Sequence, residues 1–286
     1  MTTIQGELNK MGIVCDSISV LQGKDGVTVA RIVSGDKSYV VKHFQKDEYR
    51  REMENYRLLA TLDIPTLQVI ASTDSALLLE DIDRSPTYRL GIQEDMTDPE
   101  IARRLAVWYR QLHSLGYDHV RHHGESMYDE ADYFTLENIA CIKEKTGTQD
   151  ALAWALLEQS FPAICDMLCN TKRTLTYNDF YYTNMAAAKD KSSALMFDYD
   201  LLGKGYAYTD VRNVLSSLSE EAGKAFLDEY GAFDPVEKAL DDAVSVVVTL
   251  YLACLRDEFP WWAQALLDEI NTIFLDKINH LVNNRI

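Results

Sequence analysis

Three polar residues stand out for chemistry: Asp179, Asn184 and Asp198, at spacings of five and fourteen, each beside a short apolar, β-like run. They fall in the segments Thr174–Met185 and Ala194–Asp200. A carboxylate can take the proton of an attacking hydroxyl. An Asn/Asp pair supplies hard oxygen ligands to Mg²⁺, whose shell phosphates and water then complete. In this order the three predict phosphoryl transfer from a nucleoside triphosphate, with Asp179 as base and Asn184 and Asp198 as metal ligands. Taken singly, each is an ordinary turn residue. Asp200 reads as a surface carboxylate.

Upstream, Lys42 ends the apolar run Tyr39–Lys42, where an ammonium on a central strand needs a charge to meet. Glu52 is the one carboxylate in the helical stripe Tyr49, Glu52, Tyr56, Leu59 and is its expected partner. Together they would hold an ammonium against the α/β-phosphates. The turn Gly23–Gly26 joins two strands and would lie over phosphates, though it has neither GxGxxG nor the Walker pattern. Elsewhere the bland readings win. His119, His122 and His123 read as a solvated loop, and Cys165 with Cys169 as two buried thiols on one helix face. Trp261 and Trp262, near Asp257, Glu258, Asp268 and Glu269, read as helix packing with a solvated acidic face.

The elements that must position these groups divide the chain. Ile18–Gln22, Val27–Val33 and Ser38–Phe44 predict an antiparallel meander, followed by a charged helix over 47–62 and strands over 67–71 and 76–79. The polar link Glu80–Pro86 separates a nucleotide-binding lobe, 1–82 with a hinge at about 80–84, from a mainly helical lobe, 83–286. Asp98-Pro99 starts a helix whose stripe is Ile101, Leu105, Trp108, Leu112 and Leu115, ending at Gly116. Residues 150–170 form a second helix containing Pro162, and helices run to the C-terminus. The fold class is therefore α+β, with a small antiparallel-sheet lobe carrying one helix, a larger helical lobe and a nucleotide cleft between them.

The formal charge is −17 over 286 residues, which opposes nucleic acid or an anionic membrane as partner and suits a cationic small molecule. No basic n-region or apolar h-region opens the chain, and the longest apolar stretch, Ala243–Cys254, is too short to span a bilayer. Five scattered cysteines without a CxxC pair complete the expectation of a cytoplasmic, reduced protein.

Taken together, these residues resemble the aminoglycoside phosphotransferase and choline kinase superfamily, whose fold is protein-kinase-like. Tyr39–Lys42 looks like its nucleotide-lysine strand, and Arg51-Glu52 with Leu58-Leu59 and Ile64-Pro65 like its glutamate helix. Leu77–Ile82 looks like its hinge, and Leu112-His113 like a pair in its first large-lobe helix. Tyr177–Asn184 is similar to its catalytic loop, and Phe197–Asp200 to its metal-binding strand end. The resemblance implies ATP or GTP with Mg²⁺ and adenine bound by the backbone from Glu80 to Ile82, while its phosphate loop is poorly matched at Gly23–Gly26. It makes Asp210 a brace of the catalytic loop. It also implies that Tyr177, where the pattern has His, supports that loop. Asn178 before Asp179 is closer to the choline kinase version than to the glycine of the antibiotic kinases. An aminoglycoside-like or other amino-alcohol acceptor is expected. A choline or ethanolamine kinase and a nucleotide-binding pseudokinase are the alternatives.

Overall fold

Strand alternation is the first thing the chain builds with: from Val27 to Val33, every second residue can face one side of a sheet. The computed structural model describes residues 2–283. Its elements begin with α1 (Thr2–Lys10), β1 (Ser17–Lys24), β2 (Val27–Ser34), β3 (Lys37–Phe44), α2 (Arg51–Thr61), β4 (Val69–Ser72) and β5 (Ala76–Glu80). There follow β6 (Tyr88–Leu90), α3 (Pro99–His123), α4 (Leu136–Thr146), α5 (Leu152–Asn170), β7 (Thr174–Thr176), β8 (Met185–Ala188) and β9 (Ala194–Met196). The chain continues through β10 (Gly203–Gly205), α6 (Ala207–Leu215), α7 (Glu220–Tyr230), α8 (Pro235–Cys254), α9 (Trp261–Asp268) and α10 (Leu275–Asn283). Contacts divide it into two units.

The first unit comprises residues up to Gly116, with Tyr177–Leu202 and Asn213–Gly231. Its antiparallel sheet runs β1-β2-β3-β5-β4. Ala30, Ile32, Val41 and Leu78 are buried on one face against Ile4 and Leu8 of α1. Val29, Arg31, Val40, Lys42 and Leu79 line a cavity on the other. Period two is what sends Val41 into the core and Lys42 into the cavity. The β1–β2 turn is tighter than expected, since Gly23 and Lys24 pair with Thr28 and Val27. Asp25 and Gly26, both at positive φ, then make a two-residue hairpin. The helix expected over 47–62 is a 3₁₀ turn, Asp47–Arg50, leading into α2, which buries Glu52, Tyr56 and Leu59.

In a second sheet of this unit, β6-β8-β9, β8 begins just after Asn184 and β9 ends two residues before Asp198. Met185–Ala188 is wholly buried but alanine-rich, so no β-branched signal announces β8. α3 runs seven residues past Gly116, its predicted end. An interior glycine weakens a helix by only about 1 kcal/mol relative to alanine, and no proline follows to stop it. His119, His122 and His123 consequently lie on helix, not in a loop. Leu105, Trp108 and Leu112 are buried as predicted, while Leu115 is half-exposed.

The second unit comprises Tyr117–Thr176, Gly203–Arg212 and residues from Ala232 onward. Trp154, Leu157 and Ile164 of α5 form one core with Leu240, Val247 and Leu250 of α8 and Phe274 and Ile278 nearer the C-terminus. α5 passes through Pro162 unbroken, and of its two cysteines Cys165 is only partly buried and Cys169 is exposed, because their side of the helix end lies at the surface. Asp234 caps α8 and Pro235 occupies its first turn, so the apolar stretch Ala243–Cys254 sits inside a buried helix. Among the described residues no helix is long and apolar enough to cross a membrane.

Gly91, just after β6, donates its N–H to the Met185 carbonyl at 2.7 Å. A Cβ there would strike the Tyr182 carbonyl and come within 2.8 Å of Met185 Cε. Gly91→Ala is therefore expected to push on the loop before β8. The expected outcome in urea denaturation is a loss of about 1–3 kcal/mol; an unchanged midpoint would show that the loop yields freely.

Candidate active site

Lys42 reaches the cavity from β3 and meets two carboxylates at once. Its Nζ lies 2.5 Å from Glu52 Oε2 and 2.6 Å from Asp198 Oδ1. Glu52 is buried in the first turn of α2, where the helix dipole favours a negative charge. Burial opposes the ammonium, but the charges of Glu52 and Asp198 prevail and raise the Lys42 pKa, so it stays protonated. Burial also pushes the Glu52 carboxyl up, against the pull of Lys42. The Lys42–Glu52 pair predicted from the strand–helix pattern is present, and Asp198 joins it.

The catalytic segment is tied down by local hydrogen bonds. The Asn184 N–H donates to the Tyr181 carbonyl and the Phe197 N–H to the Asn184 carbonyl, both at 2.9 Å. Asn184 Nδ2 donates to Asp179 Oδ2 at 3.2 Å, which fixes the amide so that Oδ1 is its acceptor atom. Asn178 and Asp198 both have φ 65, a left-handed conformation that non-glycine residues seldom adopt. Asn178 Nδ2 donates to the Leu201 carbonyl at 3.0 Å, and Asn55 Nδ2 to the Tyr199 carbonyl at 2.7 Å. The left-handed geometry suits Gly and Asn alike, so Asn178 reports backbone need more than acceptor type.

Tyr177 stands where the resemblance expects histidine, and it is fully buried. Its hydroxyl donates to the carbonyl of Phe197, the residue before Asp198, at 2.5 Å. Its ring meets Trp108 edge-on, with centroids 5.9 Å apart. The departure from the pattern thus keeps a donor that joins the loop of Asp179 to the strand end of Asp198.

Two adjoining hollows open here. The first, about 330 Å³, is lined by Val29, Val40, Lys42, Glu52, Leu79, Glu80, Ile82, Asn184 and Asp198, among others. The second, about 280 Å³, is lined by Lys24, Asp25, Lys42, Tyr49, Glu52, Asp179, Asp198 and Asp200. Most of the predicted site residues therefore converge. Gly23 and Gly26 line neither hollow; their neighbours Gln22, Lys24 and Asp25 do. Asp210 belongs to the second unit, where it is fully buried. Sequence reasoning missed Arg31, Asp81 and Asp83, which line the first hollow. An arginine in an otherwise apolar strand was the available signal. It also left Asp200 at the surface, whereas Arg51 holds it through Nε at 3.1 Å and Nη2 at 3.0 Å.

Whether this donor set suits a divalent cation can be judged from its charge. Asp179, Asp198 and Asp200 face one hollow, and the Asp179 carboxyl is pushed up to about 6 by loss of water, then by Asp198 and Asp200. A carboxyl raised in this way by neighbouring carboxylates gains from a cation beside it. No trio of His, Cys, Asp or Glu among the described residues could hold an ion alone. That fits Mg²⁺, which takes one or two protein oxygens and fills its shell from phosphate and water.

Tyr177→Phe removes the bond to the Phe197 carbonyl while keeping the ring. It is expected to cost about 1–2 kcal/mol of stability and to lower kcat more than it raises the KM for nucleotide; an unaltered kcat would separate this bond from catalysis. For Asp179, the raised pKa means that the folded state binds the proton more tightly than the unfolded chain, whose aspartates titrate near ~3.9. Its contribution to stability thus falls as pH rises through the window from about 4 to about 6. Replacing Asp198 with Asn removes a repelling charge and should move the Asp179 titration downward, as followed by carboxyl ¹³C NMR without metal. A titration that stays at about 6 would mean that Asp198 is not a source of the shift.

Residues 19–241 match the model of the phosphotransferase enzyme family. No curated protein matches the sequence significantly. Among solved structures, macrolide 2′-phosphotransferase MphH from Brachybacterium faecium is similar, with a TM-score of 0.60 at 16% identity over 96% of this chain and 98% of that one. Spectinomycin phosphotransferase APH(9)-Ia, in complex with ADP and spectinomycin, has a TM-score of 0.63 at 13% identity, covering 100% and 94%. Choline kinase LicA from Streptococcus pneumoniae has a TM-score of 0.59 at 13% identity, covering 99% and 98%. At these identities the likeness is one of fold, the kinase-like fold expected from the sequence. The family match spans well over half of the chain, so the chain belongs to the phosphotransferase enzyme family and is an enzyme that transfers a phosphoryl group to a hydroxyl of a small molecule.

Proposed function

We propose that this phosphotransferase uses ATP and Mg²⁺ to phosphorylate a hydroxyl of a small cationic molecule, an amino-alcohol or amino-sugar of the kind aminoglycosides represent. The observation that carries the reading is the convergence of Lys42, Glu52, Asp179, Asn184 and Asp198 on two adjoining hollows. In it, residues 80–84 are the hinge between a nucleotide lobe, 1–82, and the remainder of the chain, 83–286. Glu80 and Ile82 meet the adenine, and the β1–β2 turn with Gly23 and Gly26 covers the phosphates.

Lys42, held charged by Glu52, places its ammonium on the α/β-phosphates. Asn184 Oδ1 and the Asp198 carboxylate would hold the metal. When bound, Mg²⁺ supplies charge neutralisation of the phosphate oxygens. Asp179 accepts the proton of the acceptor hydroxyl, and its raised pKa places its proton affinity nearer that task than an ordinary aspartate's. Tyr177 supports the loop that carries it, through its bond to the Phe197 carbonyl. The cationic character of the acceptor is supported by the charge of −17, which concentrates cations near the protein within about 8 Å at physiological salt.

The test is ADP release with ATP or GTP across aminoglycosides, choline, ethanolamine, other amino-alcohols and neutral sugars. The expected outcome is Mg²⁺-dependent turnover with ATP on a cationic acceptor, reduced about 10²–10⁴-fold in Asp179→Asn. Turnover confined to neutral sugars would sink the cationic acceptor. Full activity in Asp179→Asn would remove the base, and failure to bind either nucleotide would end the reading.

A further inference from the structure

We infer that Arg31 is a positioning residue for the base end of the nucleotide site, holding the segment Glu80–Ile82 in register through Asp81; this rests on the proposed nucleotide reading of the cavity. Asp81 lies between the last residue of β5 and Ile82, and its side chain is only 2% exposed. An ionised carboxylate at that depth is costly unless it is paired. It is paired from two strands. Arg31 of β2 donates Nε to Asp81 Oδ2 at 2.7 Å and Nη2 to Oδ1 at 3.0 Å. Ser38 of β3 donates its hydroxyl to Oδ2 at 2.5 Å. The same Nη2 reaches Asp83 Oδ2 at 2.5 Å, so one guanidinium grips the segment on both sides of Ile82.

Register places this cluster. Arg31 pairs with Val40 across the β2–β3 ladder, whereas Lys42 pairs with Val29, two residues further along β2. Arg31, Asp81 and Asp83 line the 330 Å³ cavity with Glu80 and Ile82, and Lys42, Glu52 and Asp198 line it too. The cavity therefore has two charged clusters set off along the strands, with Val29, Val40 and Leu79 beside them. One cluster is suited to phosphates. In the other, Nε and Nη2 of one guanidinium are both committed to the single Asp81 carboxylate, which makes it a clamp on the chain. What a two-pronged arginine gives such a place is orientation, because the planar fork fixes the carboxylate and with it the Asp81 backbone. The Asp81 carbonyl in turn accepts from the Arg84 N–H at 3.0 Å, starting the turn that buries Ile82. Burial would raise the Asp81 pKa, and the hydrogen bonds from Arg31 and Ser38 bring it below the usual range, so the clamp stays ionised near neutral pH.

The experiment compares wild type with Arg31→Met, Arg31→Lys and Ser38→Ala by calorimetry, using adenosine, ADP and Mg²⁺-tripolyphosphate as probes. Arg31→Met is expected to weaken adenosine and ADP about tenfold or more, Arg31→Lys less because it keeps the charge but not the fork, and Ser38→Ala by about threefold. Tripolyphosphate, which engages only the Lys42 cluster, should bind each variant as it binds wild type. If adenosine and ADP bind Arg31→Met and Ser38→Ala unchanged, or if tripolyphosphate weakens equally, the positioning role is overturned. If wild type binds tripolyphosphate but neither adenosine nor ADP, the nucleotide reading itself falls, and this inference with it.

Discussion

The site hangs on one ammonium with two carboxylates. Lys42 sits almost wholly buried between Glu52 and Asp198, joining β3, α2 and the end of β9 at a single atom. Such an arrangement contributes little net stability over an apolar one, yet removing Lys42 leaves the buried Glu52 carboxylate unpaired and costs about 3–5 kcal/mol. Fold and chemistry are therefore coupled at this point. The strand, the helix and the segment of Asp198 are held in the arrangement in which both carboxylates reach the one ammonium.

A second constraint is backbone strain. Asn178 and Asp198 both occupy the left-handed region, one before the proposed base and the other at a proposed metal ligand. Conformations of that kind cost roughly 1–3 kcal/mol each and persist only where the surroundings over-determine them. Here the over-determination is visible in the bonds from Asn178 to Leu201, Asn55 to Tyr199 and Tyr177 to Phe197. The carbonyls they bind all belong to the strand end around Asp198. The strain is held by the same segment that carries the proposed metal ligand, and the arginine clamp on Asp81 fixes the chain after β5 in a comparable way.

The sheet, α2, and the Lys42–Glu52 pair were legible because they follow from short-range rules: alternation for the strands, a three-four stripe for the helix, and the intolerance of a buried lysine for solitude. The resemblance added the hinge and the order of the catalytic motifs. Elements with weak local signals were not legible. β8 is built from Met185 and alanines and becomes a strand only through pairing with β6 and β9. Gly116 read as a stop because local preference disfavours it, yet the flanking turns carried α3 through. The two-residue turn at Asp25-Gly26 moved Gly23 into a strand, a matter of ladder register that four adjacent polar residues do not reveal.

What the sequence determined by itself was the chemical inventory and its order: Lys42, Glu52, Asp179, Asn184, Asp198, each beside a segment able to hold it. Tertiary structure alone decided which charges share space. That Asp198 meets Lys42 across 156 positions, that Arg51 pairs with Asp200, and that Arg31 reaches Asp81 are consequences of packing. Local preference acts over a few residues and cannot specify a contact whose partners lie on different elements. The same holds for Tyr177, whose departure from the expected histidine is explained by one bond to a carbonyl twenty residues away.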